Sequence, residues 1–546
     1  MATEFNDATA DHKVSTAGNW TAGKPDASDD VTINAAVTSM IIDEAVNCLS
    51  FNATGTAGIT ISGSSQLYLY GNFTLDANVA WTKTGWLYIN TSGAVTINTA
   101  GIDMSLTVIS IYGGTDATLA SDLNCNRLFI SGNGTSLDTA NYNITLSERF
   151  GDGGSSGAIT LALGTSTINC AMVWFNATTI TKSTATETIN CTDVNLTDMY
   201  FNTATWGTVT ITAEPTIANT LTINGAATFN QLNLYHNSDR RDSAFAIGAN
   251  LVINDSSTWK GGGQGYDDPT YRPLIRSSVI KTQRTITVGA ASKTLTFTDV
   301  DFQDIKVATT NSPTITGTRV GDCGGNTNVD ADATKTVYYD AGTTTDCNWY
   351  DTYWATSSGG GDVVPANYPL PQDTAVIDNA TWDDTGNTLT VNDGLRIGHI
   401  NASGLTEANT LALASATYYG DLTLTGAGLT VTSTSDTVTL DARAATTLNI
   451  NRNGTIGSGS ITVNSYGGTV QLDSALTHTG TFTLTRGALD FNGQILTTNT
   501  FSSSNSNDRT LQSSAAGGKL MVTGTSGTVI NMTSDTGLYI AVPGDE

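Results

Sequence analysis

Thr167-Ile168-Asn169-Cys170 is repeated letter for letter as Thr188-Ile189-Asn190-Cys191, twenty-one residues further along the chain. Shorter versions of this pattern, an Asn-Cys pair followed a few residues later by a Phe, occur around Cys48 and Cys125. A period of roughly 20–28 residues in a chain without helical periodicity is typical of a solenoid, in which each coil stacks on the one before it. The repeat therefore predicts an all-β fold, a parallel β-helix in which like residues align from coil to coil.

Short runs of alternating apolar and polar residues support this prediction. Leu67-Tyr68-Leu69, Val95-Thr96-Ile97 and Leu221-Thr222-Ile223 each have the period of a strand with one buried face. Asn133-Gly134 and Asn224-Gly225 are turn dipeptides that readily adopt positive φ. Because crossovers between parallel strands are right-handed, the predicted coil is right-handed. The residues expected to stack inside the coils are Cys48, Cys125, Cys170, Cys191, Phe51, Phe175 and Phe201.

The second half of the chain repeats the architecture of the first. Tyr70-Gly71-Asn72-Phe73-Thr74-Leu75 aligns with Tyr419-Gly420-Asp421-Leu422-Thr423-Leu424, and the flanking segments align with a nearly constant offset. We therefore predict two tandem lobes: residues 1–300 as an N-terminal β-helix lobe with its cap, 301–360 as a connector and cap, and 361–546 as a C-terminal β-helix lobe. An open β-helix end exposes unpaired backbone groups, which large side chains can cover. The residues expected to form these caps are Trp20, Pro25, Trp349, Trp354, Pro369 and Asp373.

The composition agrees with a folded, β-rich chain and narrows its partners. Of 546 residues, 39% are hydrophobic, 13% are charged, 55 are Gly and 9 are Pro, which is enough apolar content to bury a core. The formal net charge of −26 argues against nucleic acid as a partner, because phosphate binding needs clustered Lys and Arg. The acidity fits a soluble surface that resists edge-to-edge pairing, or else divalent cation binding, so the presence of a metal site stays open.

Targeting and cysteine patterns add further expectations. The first fourteen residues lack the basic start and the apolar segment of a signal peptide, and no apolar run is long enough to span a bilayer, so no membrane insertion is predicted.

Six cysteines in 546 residues are too few for a disulfide framework and are expected to be reduced core residues. Cys323 and Cys347 lie about one coil apart, so a bridge or a metal clip between them is the alternative.

No motif in the sequence predicts catalysis or a cofactor. The Gly262–Asp267 segment fits the calcium-binding β-roll pattern, but that site requires tandem copies and this segment is single. The Gly153–Gly157 segment formally fits G-x-S-x-G, yet it leads into a strand rather than a helix. The acid pairs Asp267-Asp268, Asp330 with Asp332, and Asp383-Asp384 read as turn residues, and their separation in space, which a glycosidase would fix, does not follow from sequence. We therefore expect no catalytic residue, no cofactor-binding residue and no cofactor.

One family resemblance is carried by the middle of the chain. Gly321-Asp322-Cys323-Gly324-Gly325-Asn326, Lys335-Thr336-Val337-Tyr338-Tyr339 and Pro369-Leu370-Pro371-Gln372-Asp373 occur in an order that resembles a segment of virion structural proteins of tailed bacteriophages. The similar proteins are large, β-rich appendage and fibre-like proteins of phages from marine bacteria. The resemblance covers roughly residues 270–390 well and the rest of the chain only in style.

The resemblance implies a structural component of a virion, made in the host cytoplasm and acting through assembly and surface adhesion. It implies a β-helical fibre, spike or decoration of tail or head, other virion proteins as partners, assembly as a homotrimer, and contact with host surface glycan. Two alternatives remain from the residues: a polysaccharide-binding or polysaccharide-degrading β-helix like a tailspike, and a bacterial surface adhesin. Sparse Glu and His favour a protein that is not an enzyme.

Overall fold

The computed structural model describes residues 2–154, 157–176, 178–193, 197–213, 220–236, 241–262, 270–341, 346–351, 353–380, 382, 384–433, 437–443, 445–452, 454–534 and 536–541. The chain is all-β, and its strands stack in parallel coils that form a β-solenoid, which confirms the predicted fold class. The helical segments in these ranges are two single 3-10 turns, Ala17–Asn19 and Pro365–Asn367. Neither turn is long or apolar enough to cross a membrane.

The strands before residue 330 form three sets, each joined from coil to coil. The first set is Ala2–Phe5, Asp30–Ile33, Ser50–Ala53, Phe73–Leu75, Ala94–Asn98, Asp116–Leu119, Thr135–Asp138, Gly157–Ala162 and Thr178–Lys182. The second is Ser39–Ile42, Thr60–Gly63 and Ala80–Trp81. The third is Val46–Cys48, Leu67–Leu69, Gly85–Asn90, Asp103–Tyr112, Leu123–Ile130, Ile144–Gly151, Thr167–Cys170, Met172–Trp174, Thr188–Asp193, Asp198–Tyr200, Thr205–Ala213, Thr220–Asn224, Thr228–His236, Ala244–Ile247, Leu251–Ile253, Ser257–Lys260, Leu274–Ser277, Arg284–Val288, Thr294–Thr298, Asp301–Gln303, Ile305–Val307, Thr314–Thr318 and Gly321–Asp322.

The strands after residue 330 form two further sets. The larger is Thr336–Tyr339, Trp354–Ala355, Thr374–Val376, Arg396–Ile397, His399–Asn401, Thr417–Tyr418, Leu422–Thr423, Thr437–Leu440, Thr447–Asn451, Gly454–Ile456, Ser460–Leu472, Leu476–Asp490, Ile495–Ser502, Arg509–Gln512, Lys519–Val522, Ile530–Asn531 and Leu538–Ala541. The smaller is Cys347–Asn348, Thr388–Thr390, Asn409–Ala412 and Leu429–Thr432. Among the strands described, the pairings are parallel apart from Thr336–Tyr339 with Trp354–Ala355.

The alternating sequence decides which side chains fill the coils. Along Thr294–Thr298, Leu295 and Phe297 are buried while the Thr residues between them are half-buried on the outer face. Each inward residue meets an inward residue of the next coil, as Ile275 meets Phe302. Since a strand's side chains alternate between its two faces, this register keeps apolar residues inside every coil.

The buried apolar side chains gather into two clusters. One runs from Phe5 to Val329 and the other from Val337 to Leu511. Asp301–Gln303 pairs with the preceding coil at Leu274–Ser277, so the strands just after residue 300 continue the first cluster. The change from one cluster to the other falls between Val329 and Val337.

Candidate functional site

The repeated tetrapeptide marks two adjacent coils, as the sequence predicts. Thr167–Cys170 pairs in parallel with Thr188–Asp193, with Cys170 directly opposite Cys191. Both cysteines are buried, and their Sγ atoms are 3.8 Å apart. On the outer face of the same strands, the Asn190 side-chain amide donates a hydrogen bond to Oδ1 of Asn169 at 2.9 Å. The two cysteines are therefore interior packing residues and do not form part of a surface site.

Cys48 and Cys125 do not extend that pair into one continuous column. Cys125 lies between Met104 and Leu146 on the neighbouring coils, and Cys48 pairs with Leu69. The register shifts immediately after Cys125, so an Asn-Cys dipeptide alone does not fix the column in which a cysteine lies. Burial raises the pKa of both thiols, which keeps them neutral members of the core.

The phenylalanines of the ladder lie inside the coils. Phe51 packs on Phe73 with ring centroids 6.0 Å apart. Phe175 and Phe201 each lie 5.7 Å from the ring of Trp206, a residue that the sequence pattern did not single out. The interior column therefore mixes aromatic types rather than repeating Phe.

Two of the cap residues lie at the first coil. Trp20 is buried, packs edge-on against Phe5 at 5.1 Å, and donates from its indole nitrogen to the carbonyl of Val14 at 2.9 Å. Pro25 is half-buried in the following turn. Trp20 thus covers the strand Ala2–Phe5 at that end of the stack.

The two tryptophans placed before the second copy contact each other. Trp349 and Trp354 are both buried with ring centroids 4.7 Å apart, and the Trp354 indole donates to the Trp349 carbonyl at 3.0 Å. Tyr339 packs on Trp354 at 5.5 Å. These rings lie within the second apolar cluster.

The remaining cap residues are also buried. Pro369 is buried, and the Asp373 carboxylate accepts the backbone N–H groups of Lys335 and Leu370 at 3.0 and 2.8 Å. Burial raises the pKa of Asp373, against the opposing effect of those two N–H donors. The carboxylate of Asp373 therefore links the backbone of Lys335 to the backbone of Leu370 at the start of the second cluster.

The acidic residues that the sequence offers as candidates for catalysis include two that accept backbone hydrogen bonds and three that lie outside the described residues. Asp330 and Asp332 accept the backbone N–H groups of Gly317 and Val320 at 2.7 and 2.9 Å, so each carboxylate joins its own segment to one that lies 12 or 13 residues earlier. Lying outside the described residues are Asp267, Asp268 and Asp383, most of the Gly262–Asp267 motif, and Ser155 and Ser156 of the Gly153–Gly157 motif. Cys323 is a free thiol, so it is not bridged to Cys347.

The surface feature with the clearest chemical character is a row of aromatic side chains on the outer face of the third set of strands. One outward column can be followed by register through seven coils: Tyr68, Tyr88, Ser110, Phe129, Gly151, Trp174 and Tyr200. We call its rings, together with the adjoining rings of Trp86 and Tyr112, the aromatic strip. With coils about 4.8 Å apart, six steps give the strip a length of about 29 Å.

The rings of the strip stack on one another. Tyr68 and Tyr88 lie 4.9 Å apart at an interplanar angle of 10°. Trp86 stacks on Tyr88 at 5.3 Å and on Phe129 at 5.8 Å. Burial and the neighbouring phenol of Tyr68 raise the pKa of Tyr88, so its hydroxyl stays protonated at neutral pH. The result is a flat, uncharged aromatic surface.

The strip continues on the coils beyond Phe129. Trp174 and Tyr200 lie 4.5 Å apart, and both are half-buried, so their outer faces meet solvent. Gly151 interrupts the rings because a Cβ there would lie 2.2 Å from the Trp174 carbonyl oxygen. Cross-strand aromatic pairs stabilise a sheet, but the half-buried rings on either side of Gly151 also expose apolar surface to solvent.

Sequence reasoning missed the strip, although a signal for it was present. In Leu67-Tyr68-Leu69 and in Trp86-Leu87-Tyr88-Ile89, aromatic residues hold the outward positions that Thr, Asn and Ser fill in most other strands. An aromatic at an outward position of consecutive coils predicts a surface row. Only the register between coils shows that the rings meet.

A second feature is a network of buried ion pairs that joins residues on either side of the change between the two apolar clusters. We call this network the ionic junction. Asp301 accepts hydrogen bonds from Arg272 at 2.6 and 2.8 Å and from Arg396 at 2.6 Å. Burial alone would raise the pKa of Asp301, but the guanidinium groups of Arg272 and Arg396 hold it below its ordinary value. Arg443 donates to Asp304 at 2.7 Å in the same region. Residues far apart in sequence are thereby joined.

A cleft lies beside this junction. It has a volume of about 510 Å³ and is lined by Lys281, Tyr466, Arg486 and Asn507, among others. Arg486 lies over the Tyr466 ring at 4.2 Å and donates to Asn507 at 2.6 Å. Its guanidinium already has partners within the fold, which makes the cleft a weaker candidate than the strip.

Searches for metal sites and for similar proteins give no positive finding. Across the described ranges, no group of three or more His, Cys, Asp or Glu side chains is arranged to hold a metal ion. No protein-family model, curated protein or solved structure matches the chain.

Proposed function

We propose that this protein is a non-catalytic, adhesive β-solenoid that binds surface carbohydrate along its aromatic strip. The observation that carries the proposal is the two groups of half-buried rings in this column, Tyr68, Trp86 and Tyr88 at one end and Trp174 with Tyr200 at the other. The apolar faces of pyranose rings pack flat on aromatic rings, and ligand sites combine such surfaces with a few polar groups. Coils about 4.8 Å apart place neighbouring rings, Tyr68 with Tyr88 and Trp174 with Tyr200, at close to the length of one hexose unit.

The setting that we propose is the particle of a tailed phage, in which the chain is a fibre, spike or decoration held by other virion proteins. This rests on the resemblance of residues 270–390 and on the acidic, elongated character of the chain. An appendage matches the rotational symmetry of its attachment point, so purified particles should contain the chain in threes or sixes. A copy number that varied between particles would contradict the assembly role.

We further propose that the two apolar clusters are two tandem lobes and that the coils wind to the right. The separate clusters on either side of residues 330–336 support the first point. The crossover preference of parallel strands supports the second. The proposed boundary between the lobes lies between Val329 and Val337, within the segment 301–360 that the sequence assigned as connector and cap.

Binding of purified protein to immobilised polysaccharides tests the carbohydrate proposal. Trp86→Ala and Trp174→Ala should each weaken binding about tenfold or more, as loss of a stacking ring commonly does at interfaces. Tyr142→Ala is the matched control, because Tyr142 is an exposed aromatic with no ring contact to the strip among the described residues. Equal losses in all three variants, or no binding to any polysaccharide by the unaltered protein, would refute the proposal.

The same preparation distinguishes adhesion from turnover. Polysaccharide incubated with the protein should release no oligosaccharide, because we assign no acid pair to bond cleavage. Reproducible release, abolished by one Asp→Asn substitution near the strip, would instead establish a polysaccharide-degrading enzyme.

A further inference from the structure

We infer that the aromatic strip selects an acidic polysaccharide, whose carboxylate or sulfate groups are bound by Arg149 with Arg127 beside it. This inference rests on the proposed carbohydrate binding and adds the charge of the ligand. Neither arginine belongs to any motif singled out in the sequence.

The two arginines stand next to the strip on consecutive coils. Arg127 and Arg149 are direct register partners, two residues before Phe129 and Gly151 in their strands. Since side chains two residues apart share a face of a strand, both arginines point to the outer face with the rings. Each is half-buried. A chain lying along the rings would pass directly beside both guanidinium groups.

Among the described residues, the guanidinium of Arg149 has no carboxylate in hydrogen-bond contact. Its guanidinium carbon lies 4.9 Å from the Trp174 ring centroid, and its Nε is buried without a hydrogen-bond partner. No hydrogen bond or ion pair to the Arg149 guanidinium occurs among the described residues. Its neighbour Arg127 is paired with Glu148 at 2.5 Å.

The charges around Arg149 balance in number, with Arg127 on one side and Glu148 and Asp152 on the other, but neither carboxylate is hydrogen-bonded to Arg149 among the described residues. Burial lowers the pKa of Arg149, the adjacent Arg127 lowers it further, and Glu148 and Asp152 act in the opposite direction. Asp152 is itself buried and accepts the backbone N–H of Gly154 at 3.0 Å. A partly desolvated cation beside a like charge is costly unless an anion completes the site.

Carboxylate and sulfate are the groups that fit the guanidinium of Arg149, which lies over Trp174 without an anion in contact among the described residues. The planar fork of a guanidinium binds such groups through paired, charge-assisted hydrogen bonds. The chain as a whole carries a net charge of −26 and would repel a polyanion. Arg127 and Arg149 beside the aromatic rings therefore give selectivity as well as affinity. Only a polysaccharide that can both pack on the rings and present an anionic group to these arginines gains enough free energy to bind.

The test compares three immobilised polymers: polygalacturonate with carboxylates, dextran sulfate with sulfates, and neutral dextran. The unaltered protein should bind one or both acidic polymers more tightly than dextran, and rising salt should weaken that preference. Arg149→Gln should reduce affinity for the acidic polymer about tenfold or more, the usual value of a charged hydrogen-bonded pair, and should thereby remove most of the preference for that polymer over dextran. Whichever acidic polymer responds identifies the anionic group.

Lys293→Gln is the matched control, because it removes one positive charge from an exposed ion pair with Asp255 away from the strip. Unchanged acidic binding in Arg149→Gln, or an equal loss in Lys293→Gln, would overturn the inference. Ring-dependent binding without preference for acidic polymers would overturn it as well, while leaving the proposed function standing. Absence of binding to all three polymers would count against both.

Discussion

Arginine is used in opposite ways at the ionic junction and at the aromatic strip. At the junction, Arg396 is almost fully buried, and its guanidinium donates to Asp301 and to the Arg241 carbonyl. At the strip, Arg149 is half-buried against Trp174 and has no carboxylate in contact among the described residues. The guanidinium of Arg396 is thus paired with a carboxylate inside the fold, whereas the guanidinium of Arg149 contacts an aromatic ring instead. A guanidinium without a bonded anion, rather than a charged residue as such, therefore marks the surface on which an acidic ligand would bind.

The largest expected effect comes from breaking the junction. Arg396→Ala leaves Asp301 buried with Arg272 as its remaining partner, and removing one member of a buried pair typically costs about 3–5 kcal/mol. We expect about 3 kcal/mol less stability, the lower end of that range because Arg272 remains. Denaturant unfolding monitored by circular dichroism measures it. A loss below about 1 kcal/mol would mean that Arg396 contributes as little to the free energy of unfolding as we expect of Arg149.

A smaller effect is expected from pH at the junction. Burial raises the pKa of Asp441 to about 6, although Arg443 acts to lower it. Because the ordinary pKa is about 3.9, the folded chain binds more protons than the unfolded chain between about pH 4 and 6, so stability falls as pH rises through that window. At about 1.4 kcal/mol for each pKa unit, the whole fall is at most about 3 kcal/mol, reached only when the pH has risen through the full window.

Asp441→Asn isolates this contribution, since the amide does not ionise. The variant should lose the fall in stability between pH 4 and 6 that the unaltered protein shows in thermal unfolding. Identical pH profiles for the two proteins would show that Asp441 is charged throughout and fully paired.

The smallest effect on stability is expected at the strip. Arg149→Gln removes a partly desolvated cation without breaking an ion pair among the described residues, so stability should stay within about 0.5 kcal/mol or rise slightly. The measurement is the same denaturant titration used for Arg396→Ala. A loss above about 1 kcal/mol would indicate that Arg149 is a structural residue like those of the junction.

The sequence predicted the parts of this molecule that depend on local repetition. The tetrapeptide ending in Cys170 specified parallel coils, and Cys191 lies opposite it as expected. The junction did not follow from any pattern, because Asp301 and Arg396 are 95 residues apart and no motif joins them. The strip was hidden for another reason: outward rings such as Tyr88 are visible in the sequence, but their contacts depend on coil lengths that vary and on shifts of register such as the one beside Cys125.

The stacked coils and the junction also differ in when they can form. Every coil buries its apolar face on the coil before it, so a chain leaving the ribosome can fold in order, with the early coils settled while later ones are still being made. The hydrogen bond that Arg443 donates to Asp304 joins positions 139 residues apart, so it cannot form until the chain has been made at least as far as Arg443. Contacts of such long range form slowly, which makes the junction a late step of folding. Pulse-labelled hydrogen exchange should find amides around Cys170 protected before those around Arg443, and the reverse order would rule this sequence of events out.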